Sequence, residues 1–317
     1  SATFNTSIVG GLRNTASGAC SFIGGGEKNF ISSSLGTIAG GLSNKVCGYE
    51  GIQGCGNSIL GGSFNTICAA TGSLRANNTI SGGETNQILK FVHDSYIGGG
   101  TSNKICGEGL CATQFQGRAT RNAVIVGGRC NLICDKNGNA RVSTILGGQF
   151  NKIIQCAVST TPWCLGFYNT VVGGEFNCII GGSTFTSGNI VAGGFGNKIC
   201  GLSNSSILGG YDNQITGSAG CQQATNAIVS GKSNRICGNQ SGNFIGGGYQ
   251  NFITGSTVAR NSILNGVSNK IDRGTGTLGC NNTILGGCSN TICNTRFSFI
   301  SNGINNTING FCNSAII

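Results

Sequence analysis

The stretch Ile23-Gly24-Gly25-Gly26-Glu27-Lys28-Asn29-Phe30-Ile31 returns as Ile59-Leu60-Gly61-Gly62-Ser63-Phe64-Asn65-Thr66-Ile67. The shared pattern is I-x-G-G-x-x-N-x-I. Its apolar anchor falls at residues 8, 23, 38, 59, 80, 97, 125, 145, 171, 191, 207, 228, 245, 263, 284 and 300, which makes 16 copies. Every copy keeps the second glycine of the pair, as at Gly26, Gly62, Gly148 and Gly287, and the asparagine, as at Asn29, Asn65, Asn151 and Asn290. The first glycine is replaced only by Ser230, Asn265 and Asn302, and the closing apolar residue weakens only at Ala16 and Val46.

An apolar β-branched residue, small residues and a second apolar residue describe two short strands joined by a bend. Glycine at the bend supplies φ > 0 or lets a neighbouring chain come close. Asparagine also tolerates the left-handed region, and in stacked copies its amides form a ladder, each bonded to the one above and below. A single copy cannot bury its two isoleucines, whereas stacked copies make one continuous core. The pattern predicts an all-β chain, a single parallel β-solenoid of stacked β-arches with about 16 rungs, forming one continuous repeat domain over residues 1–317.

Composition agrees. The chain has 317 residues with 58 glycines, 18 cysteines, one proline, one tryptophan, one histidine and no methionine. So much glycine excludes an ordinary helical domain, since each helical glycine costs about 1 kcal/mol against alanine. The single proline and the absence of a Gly-X-Y period exclude collagen. A hydrophobic content of 38% with 9% charged residues does not match the disordered signature. No apolar run reaches the roughly 18 residues a membrane-spanning helix needs. The N-terminal SATFNTSIVG has no basic or apolar signal region, so a secreted protein would be present in its mature form.

Anchors are separated by 15 residues at the closest and by 28 between Ile97 and Ile125. The longer intervals are expected to bulge as loops, the largest at about 106–123 and 154–169, the latter carrying Pro162 and Trp163. Atypical capping repeats, usual in solenoids, are not visible at either end. Bare strand edges template pairing with another chain, so end-to-end stacking of copies is the expectation.

Seven cysteines fall nine residues after an anchor: Cys47, Cys68, Cys106, Cys134, Cys200, Cys237 and Cys293. Cys55 and Cys280 each precede an anchor by four residues, and Cys20 lies between copies. Residues at one repeat position stack at the rung spacing of ~4.8 Å, inside the Cα range of a disulfide. These ten are candidate disulfide cysteines, and an oxidising, extracellular compartment follows. The alternative is that cysteine serves as a small buried apolar residue.

Candidates for catalysis are few. His93 stands beside Asp94 with no nucleophile near it in sequence and reads as a surface loop residue. The glycine pairs lack the Lys-Ser/Thr of a phosphate loop and recur in every rung. Glu27, Glu84, Glu175 and Asp212 fall in the bend. The net charge of +10 is scattered, although Lys28, Lys45, Lys104, Lys152, Lys198, Arg235 and Lys270 fall at the bend or its flank, a basic stripe able to attract anionic polymers or a cell surface. Neither an enzyme nor a nucleic-acid binder is expected, and no cofactor, metal or membrane span.

With its preceding serine, the unit in Ser58–Ile67 and Ser206–Ile215 resembles the head repeats of trimeric autotransporter adhesins. That resemblance implies a left-handed β-roll of stacked short strands. The cysteine- and glycine-rich architecture is similar to that of the sheath proteins of filamentous methanogenic archaea, which implies a disulfide-linked assembly of β-arches. Two functional expectations result. One is an extracellular structural protein, self-assembled end to end into a disulfide-stabilised sheath, filament or surface layer. The other is an adhesin or virus receptor-binding fibre that uses the inter-rung loops.

Overall fold

Each copy of the repeat becomes two short strands, a first arm ending at the anchor and a second arm around the closing apolar residue, with the glycine bend between them. The computed structural model describes residues 5–48, 56–68, 76–90, 92–107, 120–135, 140–155, 166–181, 188–217, 225–238, 241–255, 260–272, 281–310 and 313–317. Among them there is no helix. The chain is an all-β solenoid that divides into two compact units, Ser1–Val158 and Ser159–Ile317.

In the first unit the first-arm strands run from Ser7–Ile8 to Thr144–Ile145, each parallel to the next, so that Ile8, Ile23, Ile38 and Ile59 stack in register. The second-arm strands run from Thr15–Ala16 to Lys152–Gln155 in the same way. The second unit repeats the plan, from Thr170–Val171 to Ala315–Ile316 in the first arm and from Cys178–Gly181 to Thr307–Asn309 in the second. Ala315–Ile316 is a further first-arm strand beyond the sixteenth copy. It was illegible in the sequence because no glycine pair follows it.

Strands of two to four residues are too short to be stable alone. What holds them is stacking: the β-branched anchors turn inward, and Ile23, Ile31, Ile59 and Ile67 are fully buried. The residues on either side of each anchor point outward by the period-two rule of strands.

The bend shows two left-handed residues per rung. Gly26 has φ 87° and Gly62 φ 83°. A side chain on Gly26 would also run into the carbonyl oxygen of Gly41 on the next rung, so both reasons for glycine apply there. The second left-handed residue is not the asparagine expected from its propensity but the residue just before it: Lys28 at φ 56°, Phe64 at 56°, Phe150 at 54° and Ser289 at 56°. That conformation costs a non-glycine residue about 1–2 kcal/mol. It is held by bonds to the preceding rung, where the Lys28 N–H donates to the Leu12 carbonyl at 2.9 Å.

In the first unit a third side appears. Val92–His93, Thr120–Arg121 and Ala140–Arg141 form parallel two-residue strands. Parts of the expected loops are therefore strand. Cys106 and Gly107 complete the strand Lys104–Gly107, and Thr120–Arg121 belongs to the third side. Ile154 and Gln155 complete Lys152–Gln155, and Gly166–Phe167 is a strand. The intervening 108–119 and 156–165, with Pro162 and Trp163, lie outside the described residues. His93, expected on a surface loop, is instead buried at 6% exposure. Its strand packs against Lys104–Gly107.

Candidate functional site: polar columns and cysteine rows

The repeated asparagine is buried in nearly every rung and uses its whole amide. Asn65 is fully buried; its Nδ2 donates to the Gly61 carbonyl at 3.1 Å and to the Gly83 carbonyl of the next rung at 2.9 Å. Its Oδ1 accepts the backbone N–H of Asn86 at 3.0 Å. Asn29 does the same with Gly25, Gly41 and Asn44, and Asn290 with Gly286, Gly303 and Asn306. Asn151 donates to the Gly147 carbonyl at 3.0 Å, and its N–H reaches Asn131 Oδ1 at 3.0 Å. The sequence led to an amide-to-amide ladder. The column is instead chiefly amide-to-backbone, because the bend leaves two glycine carbonyls and one N–H per rung facing inward. A direct amide bond is added at Asn251, to Asn234 at 3.2 Å.

A second buried polar column, not recognised in the sequence, runs two residues before the anchors. In the first unit the Asn78 N–H donates to Asn57 Oδ1 at 3.1 Å and the Ser95 N–H to Asn78 Oδ1 at 3.1 Å. In the second, Asn243, Asn261, Asn282 and Ser298 continue from Asn226 in the same manner. The signal was present as asparagine at 57, 78, 169, 189, 226, 243, 261 and 282. Threonine, serine, alanine and glycine at the other copies obscured it.

The cysteines nine residues after the anchors line one row of the second arm. Cys47 and Cys68 face each other in register and are disulfide-bonded, with Cα atoms 4.6 Å apart. Cys106 and Cys134 are likewise register partners; they are 5% and 6% exposed, with sulfurs 2.9 Å apart. In the second unit the row reads Cys200, Thr216, Cys237, Thr254, Asp272, Cys293. No two of these cysteines are neighbours, and Cys237 Sγ accepts from Thr216 Oγ1 at 3.3 Å. Cys20 is exposed at a left-handed turn, φ 54°. Cys55 and Cys280 lie outside the described residues.

Six basic residues share one place. Lys45, Lys104 and Lys152 in the first unit, and Lys198, Arg235 and Lys270 in the second, all precede the buried second-arm residue and so project from the outer face. Thr66, Gln87 and Leu132, or Gln214 and Phe252, stand between them. Lys28 sits apart on the bend, 3.0 Å from Glu27, and Lys270 pairs with Asp272 at 2.7 Å. Glu84, Glu175 and Asp212 occupy solvent-reached positions of the bend. Aromatics gather on the bend of the second unit. Phe195 and Tyr211 stack with centroids 5.1 Å apart, Phe176 meets Phe195 edge-on at 5.4 Å, and Lys232 Nζ lies 5.2 Å from the Tyr211 ring and 5.9 Å from that of Tyr249.

Among the described residues, no group of three or more His, Cys, Asp or Glu is placed to hold a metal ion. A shallow groove is lined by Asp212, Ser233, Arg235, Gln250, Asn251 and Phe252. Among the described residues, no helix is long and apolar enough to cross a membrane. No family model matches the chain, and no curated protein matches its sequence.

Proposed function

We propose that the chain is a non-enzymatic structural subunit of an extracellular sheath, filament or surface layer, stacked end to end and tied between copies by disulfides. The observation that carries this reading is the self-complementarity of the rung. One edge offers an asparagine Oδ1 and Nδ2, and the opposite edge offers an asparagine N–H and a glycine carbonyl, as between Asn65 and the rung of Gly83 and Asn86. A rung of one copy can therefore continue a rung of another with the bonds it already uses inside the chain.

The cysteine row of the second unit supports covalent ties between copies. Cys200 and Cys237 are two rungs apart, and Cys237 and Cys293 three. At ~4.8 Å per rung these separations exceed the ~7 Å limit for a disulfide. None of the three can bridge another in its own row, and all are half-buried rather than enclosed, within reach of a second copy. The outward Lys198 and Arg235 add attraction for anionic cell-surface polymers; no cofactor and no nucleic acid is part of the reading. The Cys47–Cys68 disulfide supports an oxidising compartment outside the cell as the setting of this assembly.

A second reading, an adhesin or receptor-binding fibre, is favoured by the exposed aromatic and lysine row from Phe176 to Tyr249, the kind of surface interfaces select. Negative-stain microscopy of the oxidised chain, with and without thiol reductant, separates the two. Filaments, sheets or tubes that come apart on reduction are expected. Discrete rods or closed trimers unchanged by reductant would overturn assembly.

A further inference from the structure

We infer that Cys106 and Cys134 form a second rung-to-rung disulfide, a covalent modification site that joins the two rungs on either side of the longest interval between anchors. The inference stands whether or not copies assemble. Its first support is register. Cys106 and Cys134 are direct partners on adjacent parallel strands, at the repeat position where Cys47 and Cys68 are already bonded. Adjacent strands lie ~4.8 Å apart, and Cα separations of roughly 4.4–6.8 Å suit a disulfide.

The second support is exclusion within the row. Leu89 separates Cys68 from Cys106, and Ile154 follows Cys134. Each sulfur therefore has one cysteine neighbour in the row, the other member of the pair. The third is placement: the sulfurs face each other at 2.9 Å under cover, at 5% and 6% exposure. An approaching reductant reaches neither sulfur without local opening of the stack.

The chemistry balances through exchange with a small-molecule disulfide of the glutathione type, before the stack closes over the two sulfurs. One protein thiolate attacks it and releases a small thiol. The second protein thiolate then displaces the other small thiol from the mixed disulfide. The protein loses two protons and two electrons, and the oxidant leaves as two thiols. The resulting bridge spans a sequence separation of 28 residues, including 108–119.

The test is peptide mapping of the full chain, refolded with glutathione disulfide, alkylated under denaturing non-reducing conditions and cut with trypsin. Peptides 105–118 and 130–136 also contain Cys111 and Cys130, so the map is made on the unaltered chain by fragmentation and again on a Cys111→Ser, Cys130→Ser chain. A single linked species that disappears on reduction, with its fragments joining Cys106 to Cys134, is expected in both. Recovery of both peptides in alkylated form before reduction overturns the inference, as does a link from Cys106 to any other cysteine. A Cys106→Ala chain supplies a reading that does not need the bridge to form: Cys134 should become alkylated without reductant, and unchanged labelling of Cys134 overturns the pairing.

Discussion

Replacing Asn65 by alanine removes three hydrogen bonds at a fully buried position. Their loss is unequal. The Gly83 carbonyl keeps a partner, because the Ser63 N–H also donates to it at 2.9 Å. The Asn86 N–H pointed at Asn65 Oδ1 and is left facing a methyl group with nothing to receive it. An orphaned buried donor costs about 1–3 kcal/mol, and each further lost bond about 0.5–1.5 kcal/mol. The local sum is about 2–6 kcal/mol. Because a solenoid is held by nearest-neighbour terms, this loss should appear first as local opening around the rungs of Asn65 and Asn86. Native-state hydrogen exchange at the Asn86 amide is the suitable assay; protection should fall about 30- to 20,000-fold at 1.4 kcal/mol per decade. Asn65→Asp should be worse, since it replaces the amide nitrogen and its two N–H donors by one carboxylate oxygen that faces both the Gly61 and Gly83 carbonyls. Protection within threefold of the parent chain in Asn65→Ala would refute the assignment of the column as a stabilising device.

Cys47→Ser should lower unfolding stability by about 3 kcal/mol, the loop-entropy value for a separation near 21 residues; guanidinium titration should show the loss under oxidising conditions and nearly none with reductant. Gly62→Ala should destabilise the chain by more than about 1 kcal/mol through its positive φ alone, while Gly61→Ala, whose added methyl meets open space, should stay within about 1 kcal/mol of the parent in the same titration. The triple change Cys200→Ser, Cys237→Ser, Cys293→Ser should abolish most cross-linked species on a non-reducing gel while leaving the circular dichroism of the chain intact. An undiminished ladder of cross-linked species would assign inter-copy ties to other cysteines.

The anchors, the glycine bend and the position of the asparagine were legible because each is imposed at every rung by the same packing or dihedral demand. What the asparagine does was less legible. Its side-chain partners are carbonyls and N–H groups of the neighbouring rung, and no residue type announces them. The left-handed residue ahead of it is Arg13, Lys28, Phe64, Cys130 or Gln250 in different copies, so side-chain propensity gives no sign of it; the backbone bonds of the stack impose it. Cysteine pairing likewise depends on which rungs are neighbours. Cys200 and Cys237 look like Cys47 and Cys68 by position in the repeat, yet Thr216 stands between them. The burial of His93 follows from a third side whose short strands carry none of the repeat.

The asparagine column also has a sense. In every described link the side-chain oxygen of one rung receives the N–H of the following rung, from Asn14 to Asn29 and from Asn290 to Asn306, never the reverse. Two like edges brought together cannot remake that link, because its acceptor lies on one edge of the rung and its N–H donor on the other. Any contact that prolongs the column with these same bonds must therefore be heterologous, without a two-fold axis. Such contacts do not close on themselves unless a rotation happens to complete a ring. A polymer built this way is polar, with two chemically different tips, and its subunits all point the same way.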